Sequence, residues 1–160
     1  MSEQSDQQSV IRVREQLRLL GAGGEVQRLD DSARTAKEAA AALGIEVGQI
    51  ASSLVFLADD KPVLVIASGS HRVDEGQLAI VLEVSHVTKA DAVIVRKATG
   101  FAIGGVAPVG HPTPIRTIVD VDLGQYDEVW AAGGHPHYVF PTTFDELVRI
   151  TGGTPADVGE

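Results

Sequence analysis

The chain has no cysteine, which excludes disulfides, thiolate metal sites and a cysteine nucleophile together. Aromatic residues make up only 4 % of its 160 positions, so the core must be built from Val, Leu, Ile and Ala. Long apolar runs are missing too. Stretches such as Pro62–Ala67 fall far short of the roughly 20 residues a membrane span needs. The opening residues Met1–Ser9 are polar, and predict neither a secretory leader nor a membrane contact. A basic excess is also lacking, with 13 Lys and Arg against 22 Asp and Glu and a formal net charge of −9. A protein that grips a nucleic-acid backbone unaided usually carries a basic face. Any RNA contact is therefore expected to be small and local, or assisted by a partner. Arg72, Lys89, Arg96, Lys97 and Arg116 in mid-chain are the cations it would use. Together these features predict a cytoplasmic protein.

What is present suits one globular domain: 44 % apolar and 22 % charged residues in a chain long enough for one core. Residues 1–8 read as a disordered tail and 154–160 as a C-terminal tail, around a single domain at 9–153. Ser9 can cap a helix through Leu20, and Thr35–Leu43 is an Ala-rich helix closed by Gly44. Gln49–Ala58 and Pro62–Ser68, separated by Asp59-Asp60-Lys61, read as a hairpin. Asp74–Val81 predicts a short helix, and Thr88-Lys89-Ala90-Asp91 a capping box opening a helix that ends near Gly100. Phe101–Pro114 is a Gly- and Pro-rich loop. Strands are expected at Val26–Leu29, Ile115–Val121, Glu128–Ala132 and His137–Phe140. A capping box at Thr143–Glu146 starts the last helix.

Within the loop, Gly104-Gly105 followed by Pro108 fits a backbone that approaches a ligand closely. Glycine removes the Cβ and proline fixes the chain beyond. Free N–H groups in such a loop can hold a carbonyl or an oxyanion. The loop matches neither GxxxxGK[ST] nor GxGxxG, so it is no phosphate loop of either kind. His111, His135 and His137 could in principle ligate a metal, but their spacing matches no standard zinc motif. Ser68-Gly69-Ser70 lacks the GxSxG elbow of a serine hydrolase. No cofactor and no metal are expected.

Three strings, TAKEAAAALGIEVGQIASSLVF, KATGFAIGGVAPVGH and AAGGHPHYVFPTTFDELVRITGG, occur in one order and register. Read together they resemble the YbaK/prolyl-tRNA synthetase-associated domain family, over nearly all of Val10–Gly153. The resemblance implies an α/β fold: an α+β-like mixed sheet, a partly closed barrel flanked by helices, with a substrate crevice. It implies trans-editing, the hydrolysis of the ester of a mischarged aminoacyl-tRNA carrying a small amino acid. The GxxxP pattern carries over to Gly104 and Pro108, with Gly105 beside them, and the threonine opening the second helix to Thr35. The glycine pair of the third string is Gly133 and Gly134, and His111 closes the loop. The partner implied is the aminoacyl-tRNA 3′ end, delivered alone or by a synthetase or elongation factor. Oligomeric state is left open.

One position departs from the family. Where it commonly has a lysine, as in KSLVF, this chain has Ser52, a neutral donor and acceptor. Two readings follow: a metal-free hydrolase with Gly104, Gly105 and Ser52 at the site, or a binding module of the same fold with weakened or lost catalysis.

Overall fold

The computed structural model describes residues 2–159, with side chains from Gln8 onward. Helices α1 (Ser2–Leu19), α2 (Ala36–Leu43), α3 (Glu75–Leu82), α4 (Ala92–Thr99) and α5 (Phe144–Thr151) surround one eight-stranded mixed sheet. Its strands are β1 (Gln27–Arg28), β2 (Ile50–Ala58), β3 (Lys61–Ser68), β4 (Val87–Lys89), β5 (Arg116–Asp120), β6 (Val129–Ala132), β7 (Tyr138–Thr142) and β8 (Thr154–Ala156). The order is β1-β7-β6-β2-β3-β5-β8, with β4 added to β2. The sheet is open, with β1 and β8 at its edges, and this corrects the partly closed barrel expected from the sequence.

β2 and β3 form the centre because their apolar runs can be buried on both faces. On one face Ala51, Val55, Leu64 and Ile66 meet α1 through Val10, Val13 and Leu17, and the loop through Phe101, Val106 and Ala107. On the other, Phe56, Val63 and Val65 pack on Leu78 and Leu82 of α3, while Ile50 packs on Ala39 and Ala40 of α2. Residues of even and odd number along β2 thus serve opposite faces.

Several boundaries differ from the sequence reading. Helix α1 begins at Ser2 rather than at Ser9, and Thr154–Ala156 is not a tail but pairs with β5 in parallel. Thr88 does not cap α4, because it lies in β4 opposite Leu57; Asp91 caps instead, accepting from the Ile94 N–H at 2.9 Å. At Thr143 only half of the capping box forms. Its hydroxyl accepts from the Glu146 N–H, but the Glu146 carboxylate takes the Thr142 hydroxyl and the Gly23 N–H.

Candidate active site

The outer edge of β2 is shared between two short strands that do not meet. Ile50 and Ala51 pair with Trp130 and Ala131 of β6, while Phe56–Ala58 pair with Lys89, Thr88 and Val87 of β4. Between them the edge from Ser52 to Leu54 has no strand partner; at Val55 the carbonyl accepts from the Ala90 N–H at 3.2 Å. Backbone groups alternate in direction along a strand. The Val55 carbonyl points to this outer edge and the Ile50 carbonyl to the other, where it accepts from Gly69 N–H at 2.8 Å. By that phase the N–H and C=O of Ser53 face the gap. A cleft of about 490 Å³ opens here, in the range of small-molecule sites.

Two elements close on the gap from opposite faces of the sheet. Arg34 and Thr35 come from the start of α2, and Ile103, Gly104 and Val106 from the glycine loop. Thr35 accepts from Glu38 N–H at 3.1 Å while the Glu38 carboxylate accepts from Thr35 N–H at 3.3 Å. This capping box fixes the chain at Arg34, just before the helix. The charged residues lining the cleft are Arg34, Arg72 and Lys89, with His71 beside them, and no Asp or Glu lines it. Among the described residues none of the three cations has a hydrogen bond or ion pair. In a chain of net charge −9 this is a local reversal of sign.

Of the candidate catalytic and substrate-binding residues named from the sequence, the cleft brings together Thr35, Ser52 and Gly104. Gly104 has φ +92°, and a Cβ there would run into the Arg34 side chain. Its N–H has no acceptor among the described residues, whereas the Gly105 N–H is bonded to the Ala102 carbonyl at 2.9 Å. Gly105 is buried, and a Cβ on it would come within 2.8 Å of the His135 Cα. It is the close approach to the turn at His135 that requires glycine here. Pro108 is buried in the loop, outside the cleft lining. His111 also lies outside it: its Nε2 donates to the Ala107 carbonyl at 2.8 Å and its ring meets the edge of Phe101. Burial holds the His111 pKa below the usual 6.5; the Ala107 bond opposes this and the Arg12 charge adds to it. Gly133 and Gly134 sit against Val26 and Tyr138 and against Ser9 and Val13, respectively, behind the cleft.

His135 and His137 are structural in their contacts. His135 and His137 stack at 5.6 Å, with His137 N–H donating to His135 Nδ1 and His137 Nδ1 beside the Leu29 carbonyl. Among the described residues the group that could hold a cation is instead His71, Asp120 and Asp122, whose ligand atoms lie within 4.8 Å of one another. Asp120 is fully buried, and each of its oxygens already accepts a backbone N–H, from Ser68 and from Asp122. His71 completes this group, with Nε2 against the Asp122 carboxylate and 3.5 Å from that of Asp120.

Residues 30–150 match the sequence profile of the aminoacyl-tRNA editing domain. The chain belongs to this family. Curated relatives include a proline–tRNA ligase of Lactobacillus helveticus, 30 % identical over 106 residues, 66 % of this chain and 19 % of the ligase. The uncharacterized protein YwhH of Bacillus subtilis is 27 % identical over 135 residues, 79 % of this chain and 81 % of that one. The chain thus spans about a fifth of the ligase it matches. Among solved structures, one described as a candidate trans-editing enzyme for prolyl-tRNA synthetase is 46 % identical, with a TM-score of 0.89 over 95 % of this chain and 97 % of that one. The hypothetical protein APE2540 is 30 % identical, with a TM-score of 0.87 over 93 % and 99 %.

Arg34 and Ser53 are lining residues of this editing domain that the sequence does not mark as candidates. Arg34 is legible only in hindsight, as the residue before a helix-capping threonine. Ser53 stands beside Ser52, but on the opposite face of β2. Of the mid-chain cations, Arg72 and Lys89 reach the cleft, while Arg116 bonds the Leu82 carbonyl and Arg96 and Lys97 lie on α4. No helix of the described residues is long and apolar enough to cross a membrane.

Proposed function

We propose that this editing domain hydrolyses the ester of a mischarged aminoacyl-tRNA in trans. The observation that carries the reading is the cleft at the split in the sheet. It is lined by three cations and no carboxylate in an otherwise acidic chain. Such a lining favours an anionic ligand, and the phosphodiester next to the 3′-terminal adenosine supplies the charge. The free N–H of Gly104 is the donor for the ester carbonyl, polarising it toward attack by water. Water adds to that carbon, and the bond to the ribose oxygen breaks. One proton of the water passes to the ribose oxygen, so the tRNA regains its hydroxyl, and the other goes to solvent as the amino acid leaves as a carboxylate. Gly105, Pro108 and His111 shape the loop that presents Gly104, and Thr35 sets the opposing wall. Small lining residues such as Ala36, Ala131 and Ala132 suit a short side chain. Discrimination by a methylene or two is worth only about 1–3 kcal/mol, which suits a separate editing step. A synthetase or elongation factor that delivers the tRNA would supply the wider RNA contacts an acidic chain lacks.

Ser52 supports a second reading, in which the cleft binds but does not hydrolyse, because a neutral side chain lines the cleft where the resemblance implies lysine. Purified protein incubated with tRNAs mischarged with Ala, Ser, Cys and Thr decides between them. Ester loss above the spontaneous rate for at least one is expected. Binding without ester loss on any of the four would establish the second reading instead.

A further inference from the structure

A buried hydroxyl without a partner costs free energy unless something else satisfies it. Ser53 Oγ is such a group: it is buried, makes no hydrogen bond, and belongs to a residue lining the cleft. Its position on β2 explains where it points. Ala51 and Val55, two residues to either side, both belong to the core cluster that holds Val106 and Ala107 of the glycine loop. Side chains two apart share a face, so Ser53 faces the loop that presents Gly104, whereas Ser52 faces away from it. Ser53 also turns its backbone N–H and C=O into the gap between β4 and β6. One residue of the cleft lining therefore carries a buried, unsatisfied hydroxyl and a backbone carbonyl that no neighbouring strand pairs.

The cleft holds cations for a phosphate, but a substrate with a free α-ammonium group also needs acceptors. No carboxylate is there to provide them. We propose that Ser53 is the receptor for the α-ammonium group of the aminoacyl ester, accepting from it through Oγ and through its backbone carbonyl. The proposal rests on the editing reading above and adds the residue that recognises the substrate as an amino acid. Ser52, on the other face, has no part in it. The site thereby distinguishes an α-amino acyl ester from an α-hydroxy acyl ester of the same size.

The test compares alanyl-tRNA with lactyl-tRNA, in which a hydroxyl replaces the amino group, using the full chain and its Ser53→Ala and Ser52→Ala variants. The wild type should hydrolyse the alanyl ester in preference to the lactyl ester. Ser53→Ala should lower kcat/KM for the alanyl ester about tenfold, the scale of one charge-assisted hydrogen bond, and change the lactyl ester much less. Its thermal stability should be unchanged or raised, because an unsatisfied buried hydroxyl has gone. Ser52→Ala should leave the preference intact. Equal loss on both esters, no loss on either, or loss of preference in Ser52→Ala but not in Ser53→Ala would overturn the assignment while the editing reading stood. If the wild type hydrolyses neither ester and none of the other mischarged tRNAs, the editing reading and this assignment fall together.

Discussion

At the scale of single residues, Gly104 changes meaning once its neighbours are known. The sequence suggests that glycine is there to clear the way for a substrate carbonyl. The missing Cβ, however, points at the Arg34 side chain, so the glycine also lets that arginine cross the loop. Gly104→Ala and Arg34→Ala are each expected to lower deacylation, and the double variant should be little worse than the poorer single one. Non-additivity of this kind marks residues acting through each other. Fully additive losses would separate the two roles. His111 gives a second prediction, read by stability rather than activity. Its pKa is depressed by burial, so below the usual 6.5 the unfolded chain binds a proton that the folded chain refuses. Stability should be level above that pH and fall as pH drops below it, and His111→Gln should flatten that part of the slope in denaturant titrations from pH 7 to 5. An unchanged slope would mean that another group carries it.

At the scale of elements, the helices and central strands were legible because their signals are local. Thr35 with Glu38, and Gly44 at φ +68°, mark the ends of α2 by side-chain chemistry that needs no tertiary context. Thr88 misled for the opposite reason. Its spacing to Asp91 imitates a cap, but the edge of β2 offered Val87–Lys89 strand pairing that no local rule foresees. The β2–β3 turn is tighter than expected, with Ala58 paired to Lys61 and Asp59 and Asp60 at φ 47° and 70°. Asp59 is held there by its carboxylate, which accepts the Ser85 and His86 N–H groups just before β4. Those bonds hold its pKa below the usual carboxylate value. Asp60 makes no such bond, so Asp60→Gly should stabilise the protein by up to about 1 kcal/mol in equilibrium unfolding, by relieving the left-handed backbone. A loss of stability would show that the Asp60 side chain has a role of its own.

At the scale of the whole molecule, the site was only partly legible. The family-like strings pointed to the right loop, and the mid-chain cations held two of the three that reach the cleft. The cleft itself is a product of topology. β4 and β6 reach β2 from distant parts of the chain, and leave three residues of its edge uncovered. Neither composition nor periodicity records such a gap, and a net charge of −9 hides the basic lining within it.

The most direct test of the account is the rate of ester loss from alanyl-tRNA when that lining is neutralised. Arg34→Gln, Arg72→Gln and Lys89→Gln together should lower kcat/KM at least tenfold, roughly the scale of losing charged contacts to phosphate. Replacing the exposed Arg18, Arg28 and Lys61, which lie outside the cleft, changes net charge equally and should leave the rate nearly unaltered. Equal effects of the two triple variants, or none from the first, would contradict the claim that this cleft receives the anionic end of the tRNA.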